Sequence, residues 1–191
     1  LTDLQLDSCW VTFTDSEGAE HTLEADKILL SVGRRAVTQG FGLETLGVEL
    51  ERGAIKVDEK MCTNVPGVYA AGDVTGFSML AHTASREAEV VIHNLCGQDD
   101  VMNYDAIPGI VYTNPEVAGV GLTEAQAQRQ GMDYDCLKLP MAYSGRFVAE
   151  NEGGEGICKV IVERATRRIV GVHMLGNPCS EVISSACIAI E

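Results

Sequence analysis

The chain has 191 residues, 28 acidic against 14 basic for a formal charge of -14, with 46% hydrophobic and 22% charged residues. That composition builds a core and excludes disorder, and the acidic balance excludes nucleic acid or an anionic membrane surface as partner, since either needs a basic footprint. Apolar runs such as Ile28-Leu29-Leu30 fall far short of the roughly 20 residues of a membrane span, and no signal-peptide pattern opens the chain, so the expected setting is cytoplasmic.

Residues 10–33 read as a meander: "WVTFT" alternates, "DSEG" turns, "AEHTLEA" follows, and "KILLSVG" reads as a buried strand ending at Gly33. Residues 34–66 are mostly loop with a short strand at "AIKVD". The stretch "TNVPGVYAAGDVTG" then predicts a short buried strand over 67–71 that runs straight into Gly72-Asp73. A helix is expected from about Met79 to Cys96, with Leu80, Ala84, Ala88, Val91, Ile92 and Leu95 on its apolar face and Gly97 as its stop.

Pro108 marks a change of style. Antiparallel strands are expected at "GIVYT" and "YDCLKLP", and a hairpin at "ICKVIVERATRRIVGVHML". Thr123 and Gln126 form a capping box for a helix that ends at Gly131. A last helix, "CSEVISSACIAIE", places Val182, Ile183, Ala186, Cys187 and Ile190 on one face and stops at Glu191 without a closing signal. With polar coil, "LTDLQLDSCW", and no Met at the start, the chain reads as a piece of a longer protein.

The seven cysteines, Cys9, Cys62, Cys96, Cys136, Cys158, Cys179 and Cys187, have no metal-ligand or redox-pair spacing. They read as small hydrophobes in a reducing compartment, none of them a catalytic thiol. His173, between Val172 and Met174, reads as a core or edge histidine, and His93 and His21 as surface residues. Glu150, Glu152 and Glu155 lie in an acidic, glycine-rich loop without the ligand spacing of a metal site. The glycines of "GFGLETLG" (40–47) have the wrong spacing for a dinucleotide fingerprint. Arg34-Arg35 is either a solvated loop pair or a contact for a nucleotide phosphate.

Asp73 is the residue that asks for a function. Ligands of open α/β sheets sit at the carboxyl ends of strands. Gly72 lets a ligand approach the backbone, and a carboxylate accepts hydrogen bonds from the hydroxyls of a sugar or polyol. The start of the following helix, at Met79, Leu80, Ala81 and His82, offers unpaired N–H groups and a positive dipole end. A polyol-gripping carboxylate beside an anion-favouring helix start suits a flavin, whereas the simpler reading has Asp73 only turning the chain.

"TNVPGVYAAGD", followed closely by "MLAHTASREAE", resembles the second flavin-contacting segment of the pyridine nucleotide-disulfide oxidoreductases, in the version found in their dihydrolipoyl dehydrogenase branch. "ADKILLSVGRR" is similar to the end of that family's nicotinamide-binding domain, and "IPGIVYTNPEVAGVGLTE" and "RRIVGVHMLGNPCSEVI" to its C-terminal interface domain. Ala36 and Val37 depart from the Pro and Asn usual after the Gly-Arg, and Ala88 replaces a frequent Gly. The resemblance implies an α/β plus α+β architecture. Residues 1–35 would be the tail of a Rossmann-like NAD domain, 36–106 the second segment of an FAD domain, and 107–191 an antiparallel-sheet interface domain forming a homodimer.

It further implies that Asp73 bonds the ribitol of FAD, that Met79, Leu80, Ala81 and His82 present backbone to the flavin's pyrimidine end, and that Gly33 lies at the NAD nucleotide. The implied parent oxidises dihydrolipoamide on the lipoyl domain of a 2-oxo acid dehydrogenase or glycine-cleavage complex. No catalytic residue is expected within this chain, since the family's Cys-x4-Cys pair, dinucleotide fingerprints and His-Glu dyad are absent from it. The alternatives are a glutathione, mercuric or trypanothione-type reductase, or a stand-alone dimerisation module.

Overall fold

The computed structural model describes residues 9–191, so the polar coil expected at the very start lies mostly outside the described residues. Strands β1 (Cys9–Thr14) and β2 (Glu20–Ala25) pair antiparallel with Cys9 opposite Ala25 and Thr14 opposite Glu20. The Asp15 carboxylate organises their turn, accepting from the Glu17 and Ala19 N–H groups at 2.9 Å each and meeting His21 Nε2 at 2.6 Å. Such a side-chain bond to the backbone a few residues on is what favours Asp in turns.

The buried strand expected at "KILLSVG" does not form. Residues 27–33 are coil, with Leu29 91%, Leu30 79% and Val32 84% exposed. A run this apolar is stable as a strand only between neighbours and under cover on both faces. No described strand pairs with it.

After this coil come a single helical turn, α1 (Leu43–Leu46), and a tight hairpin of β3 (Leu50–Glu51) and β4 (Ala54–Ile55). The strand expected over 67–71 is likewise reduced. The segment is half-buried, and among the described residues its one bridge is Cys62 to Tyr69. Thr63 secures it from the side, its N–H and hydroxyl both donating to the Val68 carbonyl.

Helix α2 (Ala81–Leu95) starts two residues later than expected. It closes in a Schellman arrangement in which Gly97 N–H donates to Asn94 O and Gln98 N–H to His93 O. Its buried face is Thr83, Glu87 and Val90, at i, i+4 and i+7. The apolar stripe expected to be buried is displaced from this face: Ile92 and Leu95 are exposed and Ala88 faces solvent. Val90 packs with Met61 and Met102, and Val57, Val91, Tyr104 and Ile107 close around them. Asp100 ties down the outer side, accepting two bonds from Arg86 at 2.7 Å each and meeting His93 Nδ1 at 2.7 Å.

The second half is a five-stranded antiparallel sheet in the order β5-β6-β9-β8-β7. The strands are β5 (Gly109–Val111), β6 (Val117–Gly121), β7 (Tyr134–Pro140), β8 (Ile157–Glu163) and β9 (Ile169–Leu175). Helix α3 (Glu124–Arg129) carries the expected Thr123–Gln126 capping box. A short helix, α4 (Gly145–Glu150), opens the segment read as acidic loop, and its Glu150 pairs with Arg146 at 3.0 Å.

Alternation along the strands sends Ala118, Val120, Val172 and Met174 to one face, against Cys179 and Ile183 of helix α5 (Cys179–Ile190), with Phe147 and Met141 closing the edge. Lys159 belongs to the other face, where its ammonium donates to Glu124 of α3 at 2.9 Å. Glu116 fastens the start of α5: its carboxylate accepts the Ser180 N–H at 2.9 Å, and that bond holds its pKa below the usual range.

Strand β6 has no counterpart in the sequence-based expectation. The glycines are there for close approach. A Cβ on Gly119 would stand 2.6 Å from His173 Nδ1, and one on Gly121 would stand 2.3 Å from the Val170 carbonyl. His173, half-buried, donates from Nε2 to the Leu122 carbonyl over 3.0 Å, which makes it a strand-packing histidine.

Two outcomes follow from this packing. Ile183→Ala, which empties a site only 1% exposed, lowers unfolding stability by about 2–5 kcal/mol in urea denaturation. Arg86, then His93, hold the Asp100 carboxyl below its usual range, so its stabilisation is present above the unfolded value near ~4 and is lost as pH falls through the folded one. The urea midpoint of Asp100→Asn therefore falls less between about pH 4 and 2 than that of the unsubstituted chain.

Candidate functional site

The chain leaves the Cys62–Tyr69 bridge and turns sharply at Gly72, whose φ of 84° and ψ of -160° suit only glycine. Asp73–Thr75 form one 3-10 turn, closed by Thr75 N–H and Thr75 Oγ1 donating to Gly72 O at 2.9 Å each and Gly76 N–H donating to Asp73 O. Gly76 permits a tight contact, since a Cβ there would stand 2.7 Å from Ala54 Cβ. The next four residues lead into α2, and Ser78 and Thr83 share a hydroxyl hydrogen bond at 2.9 Å across its start.

Asp73 is exposed, and its carboxylate has no partner among the described residues. Leu80 is the helix N-cap and supplies no side-chain cap. The N–H groups of Ala81, His82 and Thr83 are therefore free of partners among the described residues, as first-turn donors are unless something caps them. Met79 and Leu80 lie on the approach to these donors, and the His82 ring turns away to meet the Pro108 carbonyl at 3.0 Å. One uncommitted carboxylate and several uncommitted N–H donors thus stand at the two ends of one short loop. Such a pair accepts hydroxyl hydrogen bonds at one end and stabilises negative charge at the other.

Behind the loop lies a carboxylate that the sequence pattern does not single out. Glu87 is 0% exposed, yet it is satisfied: Gly72 N–H donates to its Oε2 and Tyr104 OH to its Oε1 at 2.7 Å. Burial, and then the Glu87 contact, push the Tyr104 phenol far up, so it stays a proton donor. The Tyr104 ring also stacks on Phe77, in the middle of the loop, with centroids 5.1 Å apart. The available signal was the i, i+4, i+7 spacing of Thr83, Glu87 and Val90, but a glutamate beside an apolar stripe reads as surface.

Gly33, the expected nucleotide contact, is in the exposed coil with φ 89°. Its neighbours Arg34 and Arg35 line a cleft of about 460 Å³ with Arg52, Lys56, Phe77 and Met79, on the flank of the same loop. Gly33 itself does not line it.

Residues 5–88 match the family described as pyridine nucleotide-disulphide oxidoreductase, and residues 107–191 match its dimerisation domain. The chain belongs to the pyridine nucleotide-disulfide oxidoreductases. It is 41% identical to the mitochondrial dihydrolipoyl dehydrogenase of Pisum sativum over 99% of its own length and 38% of that protein's. It is 39% identical to the dihydrolipoyl dehydrogenase of Bacillus subtilis over 97% of its length and 39% of the relative's. It is also 41% identical to a leghemoglobin reductase of Glycine max, over 99% of its length and 36% of the relative's.

Among solved structures, LpdA of Mycobacterium tuberculosis superposes with a TM-score of 0.81 at 27% identity, over 94% of this chain and 39% of the other. The HOCl-induced flavoprotein disulfide reductase RclA of Escherichia coli superposes with a TM-score of 0.75 at 29% identity, over 89% of this chain and 40% of the other. The chain thus spans about two-fifths of the length of the relatives it matches. Its fold is that of this oxidoreductase family, with the five-stranded antiparallel sheet inside the dimerisation match.

The Gly72 turn yields a direct outcome. Gly72→Ala forces a side chain into positive φ and sets its Cβ 3.4 Å from Ala84 Cβ. The substitution lowers stability by about 1–3 kcal/mol in urea denaturation.

Proposed function

We propose that the chain is the C-terminal part of an FAD-dependent dihydrolipoyl dehydrogenase, and that the loop from Asp73 to α2 is its flavin-holding segment. One observation carries the reading: an exposed, unpartnered Asp73 carboxylate stands one short loop away from the unpartnered N–H groups of α2. The alignment of nearly all of this chain with about two-fifths of the dihydrolipoyl dehydrogenases supports the substrate class.

The residues fit the cofactor. Asp73 would accept from the ribitol hydroxyls, and the backbone at Met79, Leu80, Ala81 and His82 would meet the pyrimidine end of the ring. When bound, the flavin supplies the two-electron relay between nicotinamide and a redox disulfide. The role of these residues is to grip and orient it, and to favour negative charge at the helix start. Gly33 would lie at the NAD nucleotide.

We assign residues 1–35 to the tail of the NAD domain, 36–106 to the FAD domain and 107–191 to a homodimer interface. The dimerisation match over the last segment supports that division. The complete enzyme would act in the cytoplasm on dihydrolipoamide carried by the lipoyl domain of a 2-oxo acid dehydrogenase or glycine-cleavage complex. The similarity to a leghemoglobin reductase and to RclA favours, as second reading, a flavin disulfide reductase with a different substrate.

The chain carries no Cys-x4-Cys pair. We expect the purified 191-residue chain to show no lipoamide turnover with NADH and little bound flavin. The complete protein should purify yellow, and its Asp73→Ala variant should bind FAD at least about tenfold more weakly by fluorescence titration. A complete protein that reduces glutathione or mercuric ion but not lipoamide would establish the second reading.

A further inference from the structure

We propose that Glu87 and Tyr104 are positioning residues for the flavin-holding aspartate, through which the segment leading into the dimerisation region sets the geometry of the cofactor site. The inference rests on the flavin reading of Asp73.

The Asp73 side chain has no partner of its own among the described residues, so its place is decided by its backbone. That backbone is one 3-10 turn hung on Gly72. Gly72 in turn is fixed by its N–H bond to Glu87 on α2. The carboxylate and the helix start that grip the two ends of the ligand are therefore held in register by one side chain, Glu87.

Glu87 is held from outside. Its second oxygen takes the Tyr104 hydroxyl at 2.7 Å, and Tyr104 belongs to the segment that enters the five-stranded unit. The same tyrosine stacks on Phe77 inside the loop, and Pro108, four residues on, receives the His82 ring at 3.0 Å. Residues 104–108 thus touch the flavin-holding loop at Gly72 through Glu87, at Phe77 directly, and at the start of α2. A gripping group must be held to within about 0.5 Å of its productive place for its full effect. Removing either member leaves a buried polar atom without its partner, and removing Glu87 also frees the Gly72 turn.

The test titrates FAD into the apoprotein of the complete enzyme, following flavin fluorescence, with thermal melting of each apoprotein alongside. Glu87→Ala is expected to weaken FAD about tenfold to a hundredfold, and Tyr104→Phe, which keeps the ring and its stack, about threefold or more. Glu87→Gln is expected within about threefold of wild type, because its carbonyl still accepts from Gly72 and its amide can donate to the tyrosine oxygen. Val172→Ala, in the core of the sheet, is the control, lowering the melting temperature while leaving FAD affinity unchanged.

If Glu87→Ala and Tyr104→Phe bind FAD as wild type does while Asp73→Ala loses it, the inference is overturned and the flavin reading stands. It is also overturned if the affinity losses merely follow melting temperature, Val172→Ala included. If the wild type binds no flavin, or Asp73→Ala binds it unchanged, the flavin reading falls and the inference with it. Should Glu87→Ala fail to fold, Tyr104→Phe decides alone.

Discussion

A carboxylate buried as completely as that of Glu87 has to be satisfied, since an unpaired acceptor there would cost the desolvation of the group with nothing returned. Its two donors come from far apart in the chain, the Gly72 N–H and the Tyr104 hydroxyl. Satisfying both brings the turn at Asp73, the second turn of α2 and the approach to the five-stranded sheet to one point. The short loop between Gly72 and α2 can then leave the Asp73 carboxylate and the first N–H groups of α2 without partners among the described residues. A site that must offer unpaired donors and an unpaired carboxylate is kept in shape by groups beneath it.

The same economy shapes the sheet. Helix α5 covers its apolar face, and on the other face Lys159 meets Glu124 of α3. Close approach on the α3 side depends on the glycines of β6, which make room for His173 and for the Val170 carbonyl. On the other side, Glu116 supplies an acceptor to the start of α5, so the helix packs with its first turn already bonded.

The exposed residues follow a pattern as well. Leu29, Leu30 and Val32 in the coil, and Ile92 and Leu95 on the outer face of α2, belong to segments whose composition suits burial, yet nothing among the described residues covers them. This chain spans about two-fifths of the length of its relatives. On the proposed reading, these are the surfaces against which the rest of the NAD and FAD domains would pack.

The sequence by itself determined whatever depends on neighbours a few residues away. The Asp15 turn, the Thr123–Gln126 capping box, the glycine stop of α2 and the β8–β9 hairpin were legible because turn chemistry and short-period patterning are local. The motif around Gly72-Asp73 was legible as well, since it is a contiguous run of residues. Tertiary structure alone decided what depends on partners distant in the chain. The apolar run before Gly33 is coil because a strand needs a neighbour, and the "VAGVG" segment is a strand because His173 and the Val170 carbonyl come close to it. The face that α2 buries is centred on a glutamate because the two groups able to satisfy that carboxylate lie at residues 72 and 104. Hydrophobic periodicity on a single helix contains no information about donors that distant.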